Sequence, residues 1–212
     1  ALVGALAAAA LVYLISMAQG GMTPLRLVLS GVVLSSAFSA LASFLVFRSP
    51  DPRAAQSVLF WMLGSVAGAT WDSLWVAALV TVVIAVLMIA FSGWLDALAA
   101  GTDVARSLGI PDTRVRKALF VGSSVLVGVL VAVSGGIGFV WLVIPHMARL
   151  LVGASHRSML PIAAGVGSLF LLWVDVGARV IAAPQEVPLG VVTGFIGAPI
   201  FLYLSLIHIS DG

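Results

Sequence analysis

An all-α bundle of membrane-spanning helices is the fold class that the sequence predicts, on three observations. Of the 212 residues, 62% are hydrophobic, 8% are charged, and the apolar residues fall into runs of spanning length. A soluble domain carries about 25% charged residues, so too few remain here to solvate a globular surface. A mean hydropathy of +1.22 agrees. The chain has no cysteine, which excludes disulfides and thiolate metal sites.

A spanning helix needs about 20 mostly apolar residues. The runs 1–18, 25–47, 73–93, 115–133, 160–182 and 189–206 supply candidates, and 140–152 a shorter descending piece. An amphipathic stretch, 54–67, is too short to span and is expected near an interface. Gly31, Ser35 and Ser39 fall at helical spacing, where small residues let helices approach closely in lipid. Six tryptophans (Trp61, Trp71, Trp75, Trp94, Trp141 and Trp173) read as interfacial anchors or packing residues rather than a substrate cage.

Alternating the spans places Arg26, Arg106, Arg114, Arg116, Lys117, Arg149 and Arg157 on one side, and Arg48, Arg53 and Arg179 on the other. The positive-inside rule makes the first side cytoplasmic. The chain lacks an initiating Met and opens inside an apolar segment, and "LSLIHIS" (Leu204 to Ser210) reads as translated adapter sequence. We therefore expect a fragment: a partial permease domain over 1–203 and a non-native tail over 204–212. His208 is set aside on that ground.

The polar segment "LDALAAGTDVARSLGIPDTRVRK" separates two spans. Leu95, Leu98 and Ala99 repeat at i, i+3 and i+4. Thr102 or Asp103 can cap a second short helix carrying Val104, Ala105 and Leu108, which Gly109 can end. Pro111 follows, and Asp112 can begin the next helix. The pattern fits either a docking protrusion over 95–113 or a structured linker.

In "SGGIGFVWLVIPHMARLLVG", Gly135, Gly136 and Gly138 permit backbone geometry that bulkier residues resist. Pro145 removes an intrahelical hydrogen bond. His146 and Arg149 share a face, where Arg149 can cap carbonyls. A metal site built from His146 and His156 would need three or four converging ligands, and the sequence has no HExxH and no carboxylate within helical reach of them. Asp175 and Arg179 stand four apart on one helix face and can pair; intramembrane charge is normally paired or used. In "GGMTPLRL", Thr23 can cap a helix with Pro24 at its first position and Leu25 next.

Taken together, "AAGTDVARSLGI", "GGIGFVWLVIPHMARLLVG", "HRSMLPIAA", "DVGARVIAAPQEVPLGVVTGFIGAPIFLYL" and "LRLVLSGVVLSSAFSAL" resemble the FecCD family, the permeases of iron-siderophore, haem and cobalamin ABC importers. The resemblance runs over about 1–203 and implies the type II importer fold, with the last seven of about ten spans present. It implies a transport subunit, not an enzyme. This chain would bind no cofactor of its own; a partner ATPase would use ATP and Mg. No Walker A pattern occurs here.

The resemblance further implies a homodimer or a paralogous permease partner, a cytoplasmic ABC ATPase, and a periplasmic or lipid-anchored binding protein. Lipid surrounds the subunit, and nucleic acid has no part. Ferric siderophore is the expected cargo, with haem or cobalamin as alternatives, and the location a bacterial or archaeal cytoplasmic (inner) membrane. An ion-coupled secondary transporter is the other class, for which Asp175 is the one acid deep in a span.

Residue by residue, Gly101, Thr102, Asp103, Val104, Ala105, Arg106, Ser107, Leu108 and Gly109 match the family's ATPase-coupling loop. Arg106 would contact the ATPase or tie down the loop. Arg179 matches the arginine that receives an acid of the binding protein, with Asp175 as a structural partner. Thr23, Pro24 and Leu25 fall in the cytoplasmic gate, where the family often has small hydroxyl residues. Trp141 stands where the family usually has glycine. The Gly135, Gly136, Gly138, Pro145, His146 and Arg149 cluster reads as structural.

Overall fold

The structure, a computed structural model, describes residues 2–18, 23–181, 183 and 187–210, with backbone alone for 2, 24 and 201–210. The start of the "GGMTPLRL" turn (residues 19–22), 182, 184–186 and 211–212 lie outside the described residues.

Ten helices follow one another among these residues: α1 (Leu2–Ala18), α2 (Pro24–Phe47), α3 (Pro52–Met62), α4 (Trp71–Ala90), α5 (Ser92–Ala100), α6 (Thr102–Ser107), α7 (Asp112–Ser134), α8 (Val140–Val152), α9 (His156–Ile181) and α10 (Leu189–Ser210). The all-α expectation holds. Among the described residues four helices are long and apolar enough to cross a membrane: Leu25–Phe47 within α2, and α4, α7 and α9. The described apolar parts of α1, α8 and α10 (Val3–Ala18, Val140–Val152 and Leu189–Ile200) are shorter. Of the seven expected spans, four are thus of full length by this measure, and the backbone of α10 runs 22 residues.

Local chemistry sets the ends. Thr23 caps α2 by accepting the Arg26 N–H at 3.4 Å, and Pro24 takes the first helical position. The amphipathic stretch expected at 54–67 is α3, shifted earlier. Asp51 accepts the Arg53 N–H at 2.9 Å with Pro52 at the first position, and Gly64 at φ +76 follows its end. Thr70 and Ser73 form a reciprocal capping box that starts α4.

α7 is central: α1 and α4 pack against it, while α8 lies on α9 and α10 closes on both. The outward faces are apolar. Phe47 and Trp71 are 87% exposed, and Trp75, Trp141 and Trp173 are also exposed. Such a surface is stable against lipid, whereas in water it would form patches far beyond those soluble monomers show. All six tryptophans are exposed, and Trp94 also lines a cavity between α4, α5 and α7. The Gly31, Ser35, Ser39 stripe meets no neighbouring helix here: a Cβ on Gly31 would find nothing within 4 Å.

The helix ends sort into two sides. Leu27, Arg116 and His156 line one cavity, which brings the starts of α2, α7 and α9 together. On the opposite side the ends of α3 and α7 and the start of α10 meet backbone to backbone. Ser65 N–H donates to Ser134 O at 2.8 Å, Leu189 N–H to Gly64 O at 2.8 Å, and Gly190 N–H to Leu63 O at 2.9 Å. This sorting follows the division of basic residues read from the sequence.

Candidate functional site

The polar interruption folds as a helical hairpin, α5 and α6, seated at the start of α7. It begins at Ser92, earlier than the expected 95, and residues 112 and 113 already belong to α7. Neither Thr102 nor Asp103 caps α6. Gly101, at φ +128, occupies the cap position, and both residues lie inside the helix. Only glycine adopts that backbone readily, which frees the Thr102 hydroxyl to accept from Arg116 at 3.5 Å.

The end of α6 is a Schellman turn. Ile110 N–H donates to Ala105 O at 3.0 Å and Gly109 N–H to Arg106 O at 2.9 Å, with Gly109 at φ +74. The hydrophobic contact that accompanies such a turn joins Ala105 to Ile110. These two and Ala97 form a small buried core, with Leu98 and Val115 packed on it. Ala105 has no exposed surface, whereas Val104 and Leu108 are 43% and 65% exposed. The knob therefore has an inner face that holds it together and an outer face of Val104, Ser107 and Leu108.

Arg106 bridges to Asp112, donating from Nε at 3.4 Å and Nη2 at 3.3 Å. Of its two expected roles, tying down the loop is the one this geometry performs. Asp103 begins α6, where a carboxylate suits the helix dipole.

Sequence reasoning missed a second fastening. Asp96 on α5 accepts the His156 N–H at 2.9 Å, pairs with the His156 ring Nδ1, and accepts the Ser155 hydroxyl at 3.4 Å. It caps α9 from another element. That backbone hydrogen bond first, then the His156 ring, holds the Asp96 carboxyl below the ordinary carboxylate range. The partners are 60 residues apart, and no local spacing announces them. His156 is thereby committed to an acid, and among the described residues no three His, Cys, Asp or Glu side chains gather as a metal would require.

At the far side, Arg179 Nε donates to Asp175 Oδ2 at 2.9 Å, with the two side chains 47% and 26% exposed. One turn away, Val174, Ala178 and Leu189 form a buried cluster joining α9 to α10. The pair therefore stands beside the backbone junction rather than within a deep cavity.

That junction explains two of the three glycines. A Cβ on Gly135, at φ +67, would lie 2.1 Å from Trp61 O, and one on Gly136 would lie 3.2 Å from Met62 O. Gly138 is different: its surroundings are open. The left-handed residue is Phe139, at φ 64, whose ring packs on Gly194 and Gly197 of α10. α8 runs through Pro145 without interruption; His146 is half-buried and Arg149 exposed near its end. Trp141 is 70% exposed, so its bulk meets no close helix contact. Thr23 and Leu25, at the start of α2, are exposed.

A model of the FecCD transport family matches residues 1–207. The chain belongs to the FecCD transport family. Its relatives include the Fe(3+)-citrate import system permease protein of Bacillus subtilis, 38% identical over 97% of this chain and 60% of that protein. The cobalamin import system permease protein of Halobacterium salinarum is 38% identical over 96% of this chain and 54% of that one. A solved metal-chelate type ABC transporter in an inward-facing conformation superposes with a TM-score of 0.85 at 36% identity, covering 93% of this chain and 63% of that one. This FecCD chain thus spans about three fifths of the length of relatives such as the citrate permease.

Proposed function

We propose that the chain is the greater part of a permease subunit in an ATP-driven importer for ferric siderophore or a related metal chelate. It receives cargo from a periplasmic or lipid-anchored binding protein and works with a separate cytoplasmic ABC ATPase, which uses ATP and Mg. It sits in a bacterial or archaeal inner membrane, paired with a second copy or a paralogous permease. Relatives named for Fe(3+)-citrate and iron(3+)-hydroxamate import support the siderophore reading; cobalamin is the second reading, supported by relatives named for cobalamin and vitamin B12 import.

The observation that carries this proposal is the α5–α6 knob. It is a compact helical element with an outward apolar edge, fastened at its base by Arg106–Asp112 and across to α9 by Asp96. An amphipathic helix offers such an edge to a groove on a partner. Residues Gly101 to Gly109 would engage the ATPase, Arg179 would meet an acid of the binding protein, and Thr23, Pro24 and Leu25 would form the gate. An apolar constriction at Leu25, which is 68% exposed in this chain alone, would gate by excluding water.

The test is reconstitution of the full-length subunit with its cognate ATPase and binding protein. ATP-dependent uptake of ferric siderophore into vesicles, absent without the ATPase, is the expected result. Uptake that persists without ATP would assign the ion-coupled class instead.

A further inference from the structure

We infer that Asp96 and His156 form the joint through which the α5–α6 hairpin moves α9; this rests on the coupling-loop reading above. The hairpin continues directly from α4 through Phe91, whose ring packs on Trp94, and joins the rest of the chain at two further places. One is its covalent continuation into α7, braced by Arg106–Asp112 and Arg116–Thr102. The other is the Asp96 carboxylate, which takes the first amide of α9 at 2.9 Å together with the His156 ring and the Ser155 hydroxyl.

A helix start leaves its first N–H groups without intrahelical partners. A carboxylate there gains from both the free amides and the helix dipole. Three polar bonds on one carboxylate fix α5 to α9 in direction as well as distance. The contact is partly shielded: the His156 side chain is 21% exposed and Asp96 39%. Arg116 from α7 lines the same cavity as His156, so a cation stands near the pair without displacing it.

α9 is the element this joint would drive. It runs 26 residues from His156 to Ile181 as one helix, with Pro161 in its second turn, and carries Arg179 near its other end. At 1.5 Å per residue, Arg179 lies about 35 Å along the axis from the joint. A single helix clamped at one end by the coupling hairpin and bearing the proposed docking pair at the other links the two partner surfaces. Asp96 is thus a positioning residue for coupling. It does not touch cargo.

A reversible bridge tests this. The chain has no cysteine, so the double variant Asp96→Cys/Ser155→Cys, made in the full-length complex, carries a single engineered bridge within this region. Stimulation of ATP hydrolysis by the binding protein, divided by basal hydrolysis, is measured with the bridge oxidised and then reduced. The expected ratio is near wild type when oxidised and about tenfold lower when reduced, matching a coupling of ordinary size. Asp96→Asn, which keeps an acceptor oxygen for the His156 amide, should recover at least half of what Asp96→Ala loses.

Equal stimulation in both redox states would overturn the inference, as would wild-type stimulation in Asp96→Ala. Loss of stimulation in both states, with the wild type responding, overturns it too. A wild-type complex that shows no stimulation at all sinks the coupling-loop reading itself, and is told apart by that control.

Discussion

The Arg106 guanidinium reaches across the α6–α7 turn to the Asp112 carboxylate, donating from Nε at 3.4 Å and Nη2 at 3.3 Å. Arg106 is 62% exposed, so the pair lies in solvent-screened surroundings. An exposed ion pair contributes about 0.2–1 kcal/mol. Arg106→Ala should therefore leave the hairpin folded and lower the denaturation midpoint only slightly. A large drop, read by tryptophan fluorescence in detergent, would mean that the pair holds the knob together.

Ala105 and Leu108 separate folding from contact. Ala105 is fully enclosed against Ala97 and Ile110. Ala105→Glu buries an unpaired carboxylate and costs several kcal/mol; it should abolish ATPase association by breaking the hairpin. Leu108, 65% exposed, contributes nothing comparable to the core. Leu108→Glu should keep the wild-type melting profile yet weaken co-purification with the ATPase about tenfold or more, the loss expected for an apolar anchor. Undiminished co-purification with Leu108→Glu would remove the outer face from the interface.

Asp96 gives the hairpin an acid limit. Its carboxyl is held below the ordinary range by the His156 N–H and ring, with Ser155 adding to them. A folded pKa below the unfolded one means that the unfolded chain binds more protons as pH falls, so stability is lost on the acid side. The contribution is complete above about pH 4–5, where an unfolded Asp is ionised, and disappears as pH drops through the lowered folded value. The protection factor of the His156 amide, its exchange relative to the intrinsic rate at the same pH, should be high and flat near neutrality and fall below that range, while Asp96→Ala gives low protection at every pH.

Arg179 and Asp175 separate helix pairing from docking. An i, i+4 pair on a partly exposed face adds about 0.3–0.5 kcal/mol, so Asp175→Asn should scarcely change the melting temperature. Arg179→Glu reverses the charge proposed to meet an acid of the binding protein. Like charges then face each other, and affinity should fall at low salt with a smaller loss at high salt. Salt-independent binding with Arg179→Glu would restrict the pair to an intramolecular role.

The sequence made the spans legible because apolar runs and capping residues are local signals. Thr23 with Pro24 fixes the start of α2, and the 140–152 piece appears with those bounds. The Asp175–Arg179 pair was legible for the same reason, since helical spacing of four places both on one face. Asp96–His156 was not. Its partners are 60 residues apart and belong to different elements, so only the tertiary arrangement joins them. Capping of α6 was misread because Thr102 and Asp103 have the favoured side chains, while the chain reverses at Gly101 with φ +128, a demand that only glycine meets cheaply. The same limit applies to Gly138, where composition suggested a backbone need that Phe139 carries instead.

The glycine junction supplies the last prediction. Gly135 has φ +67, and a Cβ there would stand 2.1 Å from Trp61 O, a backbone atom that cannot swing aside. Gly190 is in the same position: a Cβ would lie 2.3 Å from Leu63 O. The left-handed backbone alone costs an alanine about 1–3 kcal/mol at Gly135, and the collision adds to it by forcing α3 away from α7. Separation would break the Ser65–Ser134, Leu189–Gly64 and Gly190–Leu63 hydrogen bonds together, because all three cross one seam. Gly135→Ala and Gly190→Ala should each reduce the folded yield sharply and lower the melting temperature. Gly138→Ala, in open space, should stay close to wild type. Equal tolerance at Gly135 and Gly138, scored by size-exclusion profile and melting temperature in detergent, would show that the seam opens without cost and that α3 is not pinned to α7 and α10.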